Sequence, residues 1–260
     1  MPEAPDRAAV PAVPAAAEPI VDEARRILAR AAVADVPVRL CGGLAVRMHA
    51  EPLHPAFRRE YKDIDLVTLR GRGGDVAGLL EALEYGPDAE FNALNGHRRL
   101  RYGDMRTGRE IDVFVGEFAM CHRIPVTERI EVEPTTVPLA ELLLTKLQIV
   151  ELNARDATDA VALLHHHPVA EHDDDALNGG RIAELCAGDW GLWRTVTANL
   201  GRVADAAGRL ALDDGDRDAV RARVAELRAR IEAEPKSRGW RLRARVGERK
   251  RWYDLPEEVG

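Results

Sequence analysis

The stretch "EYKDIDLVTL", residues 60–69, places two carboxylates one residue apart in an otherwise apolar run. Asp63 and Asp65 alternate with Ile64 and Leu66, which is the period of a β-strand, so both carboxylates lie on one face. Two carboxylates this close repel each other unless a cation lies between them, and a divalent metal ion is the usual solution. The alternative is a pair of edge charges that discourages aggregation. The stretch therefore predicts a strand that can carry metal ligands.

Two flanking stretches add to this prediction. Downstream, "REIDVFV" (residues 109–115) offers Asp112 on a second apolar strand, and pairing of the two strands would bring three carboxylates together, as a two-metal site requires. Upstream, "RLCGGLAV" (residues 39–46) passes from a strand through Gly42 and Gly43 into a helix. Such a turn exposes backbone N–H groups that suit a phosphate.

The hydrophobic pattern predicts an α+β fold, with a small mixed sheet and flanking helices followed by a helical domain. Strands are expected at 36–41, 63–69, 98–103, 109–117 and 129–134, and the stretch 136–167 reads as one amphipathic helix. The predicted divisions are a flexible Ala/Pro-rich leader (1–19), the α+β domain (20–135), the helical domain (136–235) and a basic, aromatic C-terminal segment (236–260).

Composition narrows the class of protein. The 260 residues are 46% hydrophobic and 31% charged, which is typical of a globular chain, and the net charge of −7 argues against wholesale coating of nucleic acid. No apolar run reaches the length of a membrane span. The three cysteines are far apart and form no metal or disulfide spacing, so a reducing cytoplasm is the expected setting.

The ordered set of glycines and aspartates resembles the nucleotidyltransferase (polymerase-beta-like) superfamily, and within it the AbiEii-type nucleotidyltransferases, which include toxins of toxin–antitoxin systems. The resemblance spans residues 38 to 164. Its residues are Gly42 and Gly43, the Asp63–Ile64–Asp65 triplet, Asp112, and a helix with Lys146, Arg155, Asp156 and Asp159. One departure is the distance of 20 positions between Gly43 and Asp63, which is longer than usual in the family. The excess is either a harmless loop or one that reshapes the nucleotide pocket.

The resemblance implies a function and a set of roles. Asp63, Asp65 and Asp112 would bind Mg²⁺ or Mn²⁺, and Asp112 would help to deprotonate the acceptor. Gly42 and Gly43 would hold the triphosphate of an NTP substrate. A hydroxyl would then attack the α-phosphate and release pyrophosphate. The favoured acceptor is RNA, for instance a tRNA, and an antitoxin protein is an implied partner. The alternatives are a small-molecule transferase of the aminoglycoside type and a non-catalytic protein that binds a nucleotide or a partner.

Lys146 has two interpretations. It lies at the margin of the apolar stripe of its predicted helix, so it must find an anion, either a triphosphate or a nearby acid such as Asp156. Asp156 and Asp159 themselves are read as structural partners of basic residues, with a role in the site as the alternative. His165–His167 are consecutive and face different directions on a helix, which favours a solvated helix end over a metal site.

The C-terminal segment reverses the charge of the chain. Arg241, Arg243 and Arg245 are candidate RNA-binding residues, because basic side chains interleaved with Trp240 and Trp252 suit a phosphate backbone with bases to stack on. The alternative is a solvated segment whose tryptophans dock on the acidic body of the protein.

Overall fold

The computed structural model describes residues 19–104 and 107–255. Residues 1–18 of the predicted leader (1–19) and residues 256–260 of the C-terminal segment lie outside the described residues, and Pro19 instead begins the first helix. Five strands form a mixed sheet in the order β1–β2–β5–β4–β3, in which β2 and β5 are parallel and the other neighbours are antiparallel. They are β1 (Val38–Cys41), β2 (Asp63–Thr68), β3 (Gly86–Pro87), β4 (Arg99–Asp104) and β5 (Arg109–Val115).

Helices surround this sheet and then make up most of the rest of the described chain. The first four are α1 (Pro19–Val33), α2 (Gly42–His49), α3 (Gly73–Ala82) and α4 (Ala89–Asn95). The later helices are α5 (Leu139–Leu147), α6 (Ala154–His166), α7 (Gly179–Gly188), α8 (Trp190–Ala207), α9 (Asp214–Ala233) and α10 (Arg238–Val246). Short 3₁₀ turns cover Pro55–Phe57 and Gly247–Arg249. Two further sheets have two strands each: β6 (Phe118–Ala119) pairs with β7 (Arg123–Ile124), and β8 (Val169–Ala170) pairs with β9 (Leu177–Asn178). The prediction of an α+β chain with a mixed sheet before a largely helical region is confirmed.

One hydrophobic core spans both regions. Its fully buried members include Leu40 and Ile64 from the sheet and Leu143, Val161 and Leu200 from the later helices. Alternation along β2 and β5 sends Ile64, Leu66, Ile111 and Val113 into this core and the three aspartates to the opposite face, which they share with Val67 and Phe114. No helix among the described residues is long and apolar enough to cross a bilayer.

The predicted strand at 129–134 is wrong. These residues form turns, because Arg129 pairs with Glu141 and Asp173, and the Arg39 guanidinium donates to the carbonyl of Glu133. The edge of the sheet is extended instead by residues 135–137, which exchange backbone hydrogen bonds with Leu40. The helix α4 and the short strand β3 were not predicted.

The single helix predicted over 136–167 is also wrong, since residues 148–153 separate α5 from α6. The buried amide of Asn199 on α8 donates to the carbonyls of Leu147 and Ile149 (2.8 and 2.7 Å), which satisfies the end of α5. Asn153 then caps α6 by accepting from the N–H of Asp156. The break turns the end of α5 toward the first two turns of α6.

Candidate functional site

The strands β2 and β5 place two aspartates side by side. Asp65 and Asp112 are register partners in the parallel pair, so their side chains lie on the same face of the sheet, roughly one strand spacing of about 4.8 Å apart. Asp63 lies two residues earlier on β2 and is exposed, whereas Asp65 is half-buried. The three aspartates that the sequence singled out therefore share one face of the sheet.

The three carboxylates differ in their partners. Among the described residues, Asp63 and Asp65 have no hydrogen-bond or ion-pair partner. Burial raises the pKa of Asp65 to about 6; the ammonium of Lys146 opposes this shift, and the charges of Asp112 and Asp63 add to it. An unpaired carboxylate with a raised pKa is a group that favours an added cation.

Asp112, by contrast, already has cationic partners. Arg99 Nε donates to its Oδ1 at 2.9 Å and Arg99 Nη2 lies 2.8 Å from its Oδ2, a bidentate pair. Arg101 Nε lies 3.7 Å from the same Oδ1. Both arginines come from β4, where Arg101 is the register partner of Asp112 and Arg99 follows the alternation. The polar face of the sheet therefore changes from acidic on β2 to basic on β4.

The turn from β1 to α2 lies directly against Asp65. Gly42, the first residue of α2, has a positive φ of 67°, and a Cβ at this position would collide with the Asp65 carboxylate. Only glycine allows this backbone conformation and this close approach together. The preceding Cys41 provides no side-chain cap, so the first N–H groups of α2 have no capping side chain. The Gly42–Gly43 turn thus brings a helix N-terminus next to the aspartate face.

A guanidinium covers the second glycine of this turn. A Cβ at Gly43 would collide with Arg59, whose Nη2 lies 3.0 Å from both carboxylate oxygens of Asp159. Arg59 also lies over the ring of Tyr61, 4.2 Å from its centroid, and its buried Nε has no hydrogen-bond partner. The long connection between Gly43 and Asp63 therefore returns to the site and lines it.

Lys146 lies at the end of α5 and faces α6. Its Nζ is 2.9 Å from Asp159 Oδ2 and 3.1 Å from Asp156 Oδ1. Burial would lower the pKa of Lys146, but the carboxylates of Asp159 and Asp156 outweigh this effect and raise it. Of the two interpretations of Lys146, the structure contains the ion pair, with Asp159 in addition to the expected Asp156.

Most of the residues described above line one cavity of about 440 Å³ between the sheet and α6. Two exposed cations at its wall, Lys62 and Arg155, have no acidic partner among the described residues. Its lining also contains Gly43, Arg59, Asp63, Asp65, Lys146, Asp156 and Asp159. Gly42 and Asp112 border the cavity through Asp65 without lining it. The cavity thus combines the unpaired carboxylates of β2 with cations from the loop before β2, from α5 and from α6.

The donor set fits a divalent cation in part. Asp63 and Asp65 offer carboxylate oxygens with no competing basic partner, and Mg²⁺ commonly takes one or two carboxylates and completes its shell with water and substrate phosphates. No three His, Cys, Asp or Glu side chains of the described residues converge as a complete protein-only site. The oxygens of Asp112 are engaged by Arg99. The two aspartates of β2 are therefore the residues that would hold the ion.

The three arginines of the C-terminal segment differ in orientation. Arg241 and Arg245 are exposed on α10. Arg243 faces inward: its guanidinium donates to the carbonyls of Gly247 and Lys250 (both 2.7 Å) and lies 4.7 Å from the centroid of the Trp190 ring. Arg243 thus holds the segment in place.

The three histidines at the end of α6 are packed rather than solvated, against expectation. His167 is buried, and its Nε2 lies 3.2 Å from the carbonyl of His49, while the ring of Phe57 packs against His165 and His166. The residues around the 3₁₀ turn Pro55–Phe57 cover this helix end, which the local pattern of α6 does not reveal.

Arg99 and Arg101 were not predicted as residues of the site. The alternation of "RRLRYG" places Arg99 and Arg101 on one face of β4, so a basic strand face was readable. Its position next to Asp112 depends on the strand order, which the pattern does not give. Arg59 has no comparable local signal.

Searches for relatives found no protein-family model and no curated protein that matches the chain.

Proposed function

We propose that the chain is a metal-dependent nucleotidyltransferase that transfers an NMP from an NTP to a hydroxyl acceptor, with RNA as the favoured acceptor. The observation that carries the proposal is the pair Asp63 and Asp65, unpaired on one strand face and next to the glycine turn that starts α2. Unpaired carboxylates beside a helix N-terminus suit a metal–triphosphate complex, in which a cation bridges protein oxygens and phosphates.

Each part of the cavity has a role in this proposal. The N–H groups at Gly42 and Gly43 face the triphosphate, and Lys146 and Arg59 supply positive charge. Asp63 and Asp65 hold Mg²⁺ or Mn²⁺, which when bound neutralises phosphate charge and makes the acceptor hydroxyl more acidic. Orientation and charge neutralisation then carry the catalysis, without a covalent intermediate.

The reaction forms one bond and breaks one bond at the α-phosphorus. The acceptor oxygen attacks this phosphorus, the bond to the β-phosphate oxygen breaks, and pyrophosphate leaves with the bonding electrons. Asp112, beside Asp65, is the proposed acceptor of the hydroxyl proton. To act in this way it must give up a hydrogen bond from Arg99, which would remain beside the reacting groups as a cation.

The test is transfer of label from each of the four NTPs, with Mg²⁺, to total RNA. The intact chain should label RNA, and the double variant Asp63→Asn/Asp65→Asn should not. Label on an aminoglycoside in a parallel reaction would favour the small-molecule alternative. Nucleotide binding without any labelled product would favour the non-catalytic alternative.

The resemblance to AbiEii-type proteins extends the proposal to a toxin with a partner antitoxin in the cytoplasm. Induced expression should then arrest bacterial growth, and Asp65→Asn should abolish the arrest at equal protein level. Arrest by both forms would contradict a toxin role based on nucleotidyl transfer.

A further inference from the structure

The C-terminal segment carries a concentration of unneutralised positive charge. Seven cations within fourteen residues have no carboxylate partner among the described residues, whereas the whole chain is acidic. They are Arg238, Arg241, Arg243, Arg245, Arg249, Lys250 and Arg251. The one acid among them, Glu248, is paired with Arg194 of α8. Such a density of like charge on a docked segment is costly unless a polyanion binds there.

The segment is docked in a fixed position. Trp240 packs edge-on against Trp193 of α8 with ring centroids 5.1 Å apart, and Trp252 packs against Trp190 at 6.2 Å. The indole N–H of Trp252 donates to Thr195 (3.2 Å). With this inner face anchored, the outer face of α10 presents Arg238, Arg241 and Arg245 in one row. The packing of the two tryptophans therefore fixes the positions of these three arginines on the surface.

A cavity of about 690 Å³ lies beneath this segment. Four aromatic side chains line it, from Trp190, Trp240, Trp252 and Tyr253, together with Lys250 and Arg251. The indole N–H of Trp240 is buried and has no acceptor. A cavity of this size accommodates a nucleoside, and aromatic rings with nearby cations are the groups that bind bases and phosphates of single strands.

A smaller groove adjoins this cavity and extends to Arg99 on β4. The groove, of about 220 Å³, shares Arg123 and Asp254 with the cavity and has Arg99 and Phe114 in its lining. Arg99 is the residue that binds Asp112. Arg123, which pairs with Glu117 at 3.3 Å, and Arg99 therefore lie between the C-terminal segment and Asp112.

We propose that this surface, the basic track, binds a single-stranded nucleic acid and directs one end of it toward Asp112. The basic track is defined as Arg99, Arg123, Lys250, Arg251 and the outer row of α10. The role in delivering an acceptor rests on the proposed function, while strand binding does not. A nucleic acid strand fits this surface because its phosphates complement the positive charge and its bases can stack on the aromatic rings. RNA and DNA share both features.

Binding is tested without catalysis, on the full chain carrying Asp63→Asn/Asp65→Asn in the presence of a chelator. Fluorescence anisotropy with a labelled 12-nucleotide single strand, as RNA and as DNA, gives the affinity and its salt dependence. Arg241→Glu/Arg245→Glu and Lys250→Gln/Arg251→Gln should each weaken binding about tenfold and reduce the slope of log K against log salt by about 1 to 2. The tighter of the two strands identifies the acceptor class.

The matched control is Arg209→Glu/Arg228→Glu, which reverses two exposed arginines that have no partner among the described residues. This variant should change binding by less than about twofold at 0.15 M salt. Equal loss in control and track variants would overturn the proposal, as would tighter binding to anionic vesicles than to either strand. Strand binding that depends on the track, without any NMP transfer, would retain this inference and reject the proposed function.

Discussion

At the scale of single residues, three aspartates on one face have three different electrostatic states. Asp112 is neutralised by Arg99, Asp63 is exposed to solvent, and Asp65 is half-buried without a partner. The carboxylate with the raised pKa is the one in contact with the glycine turn. The carboxylate in the least favourable electrostatic environment is therefore Asp65, which is proposed to bind a metal ion.

This difference predicts opposite effects of two similar substitutions on stability. In a chelator, Asp65→Asn should raise the free energy of unfolding by about 0.5 to 1 kcal/mol, because it removes repulsion with the neighbouring carboxylates. Asp112→Asn should lower it by about 1 to 3 kcal/mol, because it leaves the Arg99 guanidinium unpaired. Urea unfolding measures both.

The exposed Asp63 is the control for these two substitutions. Asp63→Asn should change the unfolding free energy by less than about 0.5 kcal/mol. Destabilisation by Asp65→Asn as large as that by Asp112→Asn would show that Asp65 has a stabilising partner and would weaken its assignment as a metal ligand.

A second residue-scale prediction concerns Asp159, which binds two of the cations of the cavity, Arg59 and Lys146. Asp159 accepts from Arg59 and pairs with Lys146, so it competes with any phosphate for these two groups. Asp159→Asn should tighten metal-free binding of tripolyphosphate about threefold to tenfold, whereas Arg59→Gln should weaken it by a similar factor. Calorimetric titration measures the two dissociation constants.

Circular dichroism of each of these variants checks that the fold is retained. Weaker tripolyphosphate binding in Asp159→Asn, with the fold intact, would mean that Asp159 orients Arg59 and Lys146 for the phosphate and does not compete with it.

At the scale of elements, the break between α5 and α6 decides where Lys146 lies. Local sequence over 136–167 favours one helix, and the break is imposed by Asn199, which lies about fifty positions later and binds the carbonyls at the end of α5. A continuous helix would carry Lys146 and Asp156 to different faces, since ten positions at 3.6 residues per turn differ by about 80°. The tertiary contact thus creates the ion pair.

Asn199→Ala should lower the free energy of unfolding by about 2 to 4 kcal/mol, because two carbonyls lose their donor. Thr197→Ala on the same helix removes a hydroxyl that donates to the carbonyl of Trp193 within α8 and should cost less than about 1 kcal/mol. Chemical unfolding compares the two variants. Equal costs would mean that the carbonyls of Leu147 and Ile149 find other donors.

Elements also determine what the sequence could reveal. The alternation at residues 63–66 and the glycine pair at 42–43 are local patterns, and both were readable as a strand and as a strand-to-helix turn. The positions of Arg99 beside Asp112 and of Arg59 over Gly43 depend on the strand order and on the return of a loop. Such long-range choices are set by packing of the whole chain, so local periodicity contains no signal for them.

At the scale of the whole molecule, histidines join the sheet region to the helical region. His49, at the end of α2, packs edge-on against His167 at 5.6 Å, and His54 packs against His165 at 5.7 Å. The groups that face them are Thr136, Asp175 and Asp216, with Arg223 near His166. Burial, with neighbouring histidines adding to it, lowers the pKa of His49 and of His166 to about 4.

This cluster predicts that the fold loses stability in mild acid. Because the native pKa of His49 lies below its usual value near 6.5, the unfolded chain binds the proton more strongly. The neutral form of His49 therefore stabilises the fold fully above about pH 6.5. This contribution to the free energy of unfolding, up to about 3 kcal/mol, is lost as the pH falls toward 4. The melting temperature should fall across this window, as measured by scanning calorimetry between pH 7.5 and 4.5.

Carboxylates also titrate in this window, so the comparison between variants isolates the histidine contribution. His49→Gln should flatten the dependence of melting temperature on pH, because the group that must take up a proton is gone. His97→Gln, at an exposed histidine without a partner among the described residues, should leave the slope unchanged. Since the two regions share one core, the whole chain should unfold in a single transition whose midpoint reports this local titration. Identical slopes in the two variants would place the acid sensitivity elsewhere in the molecule.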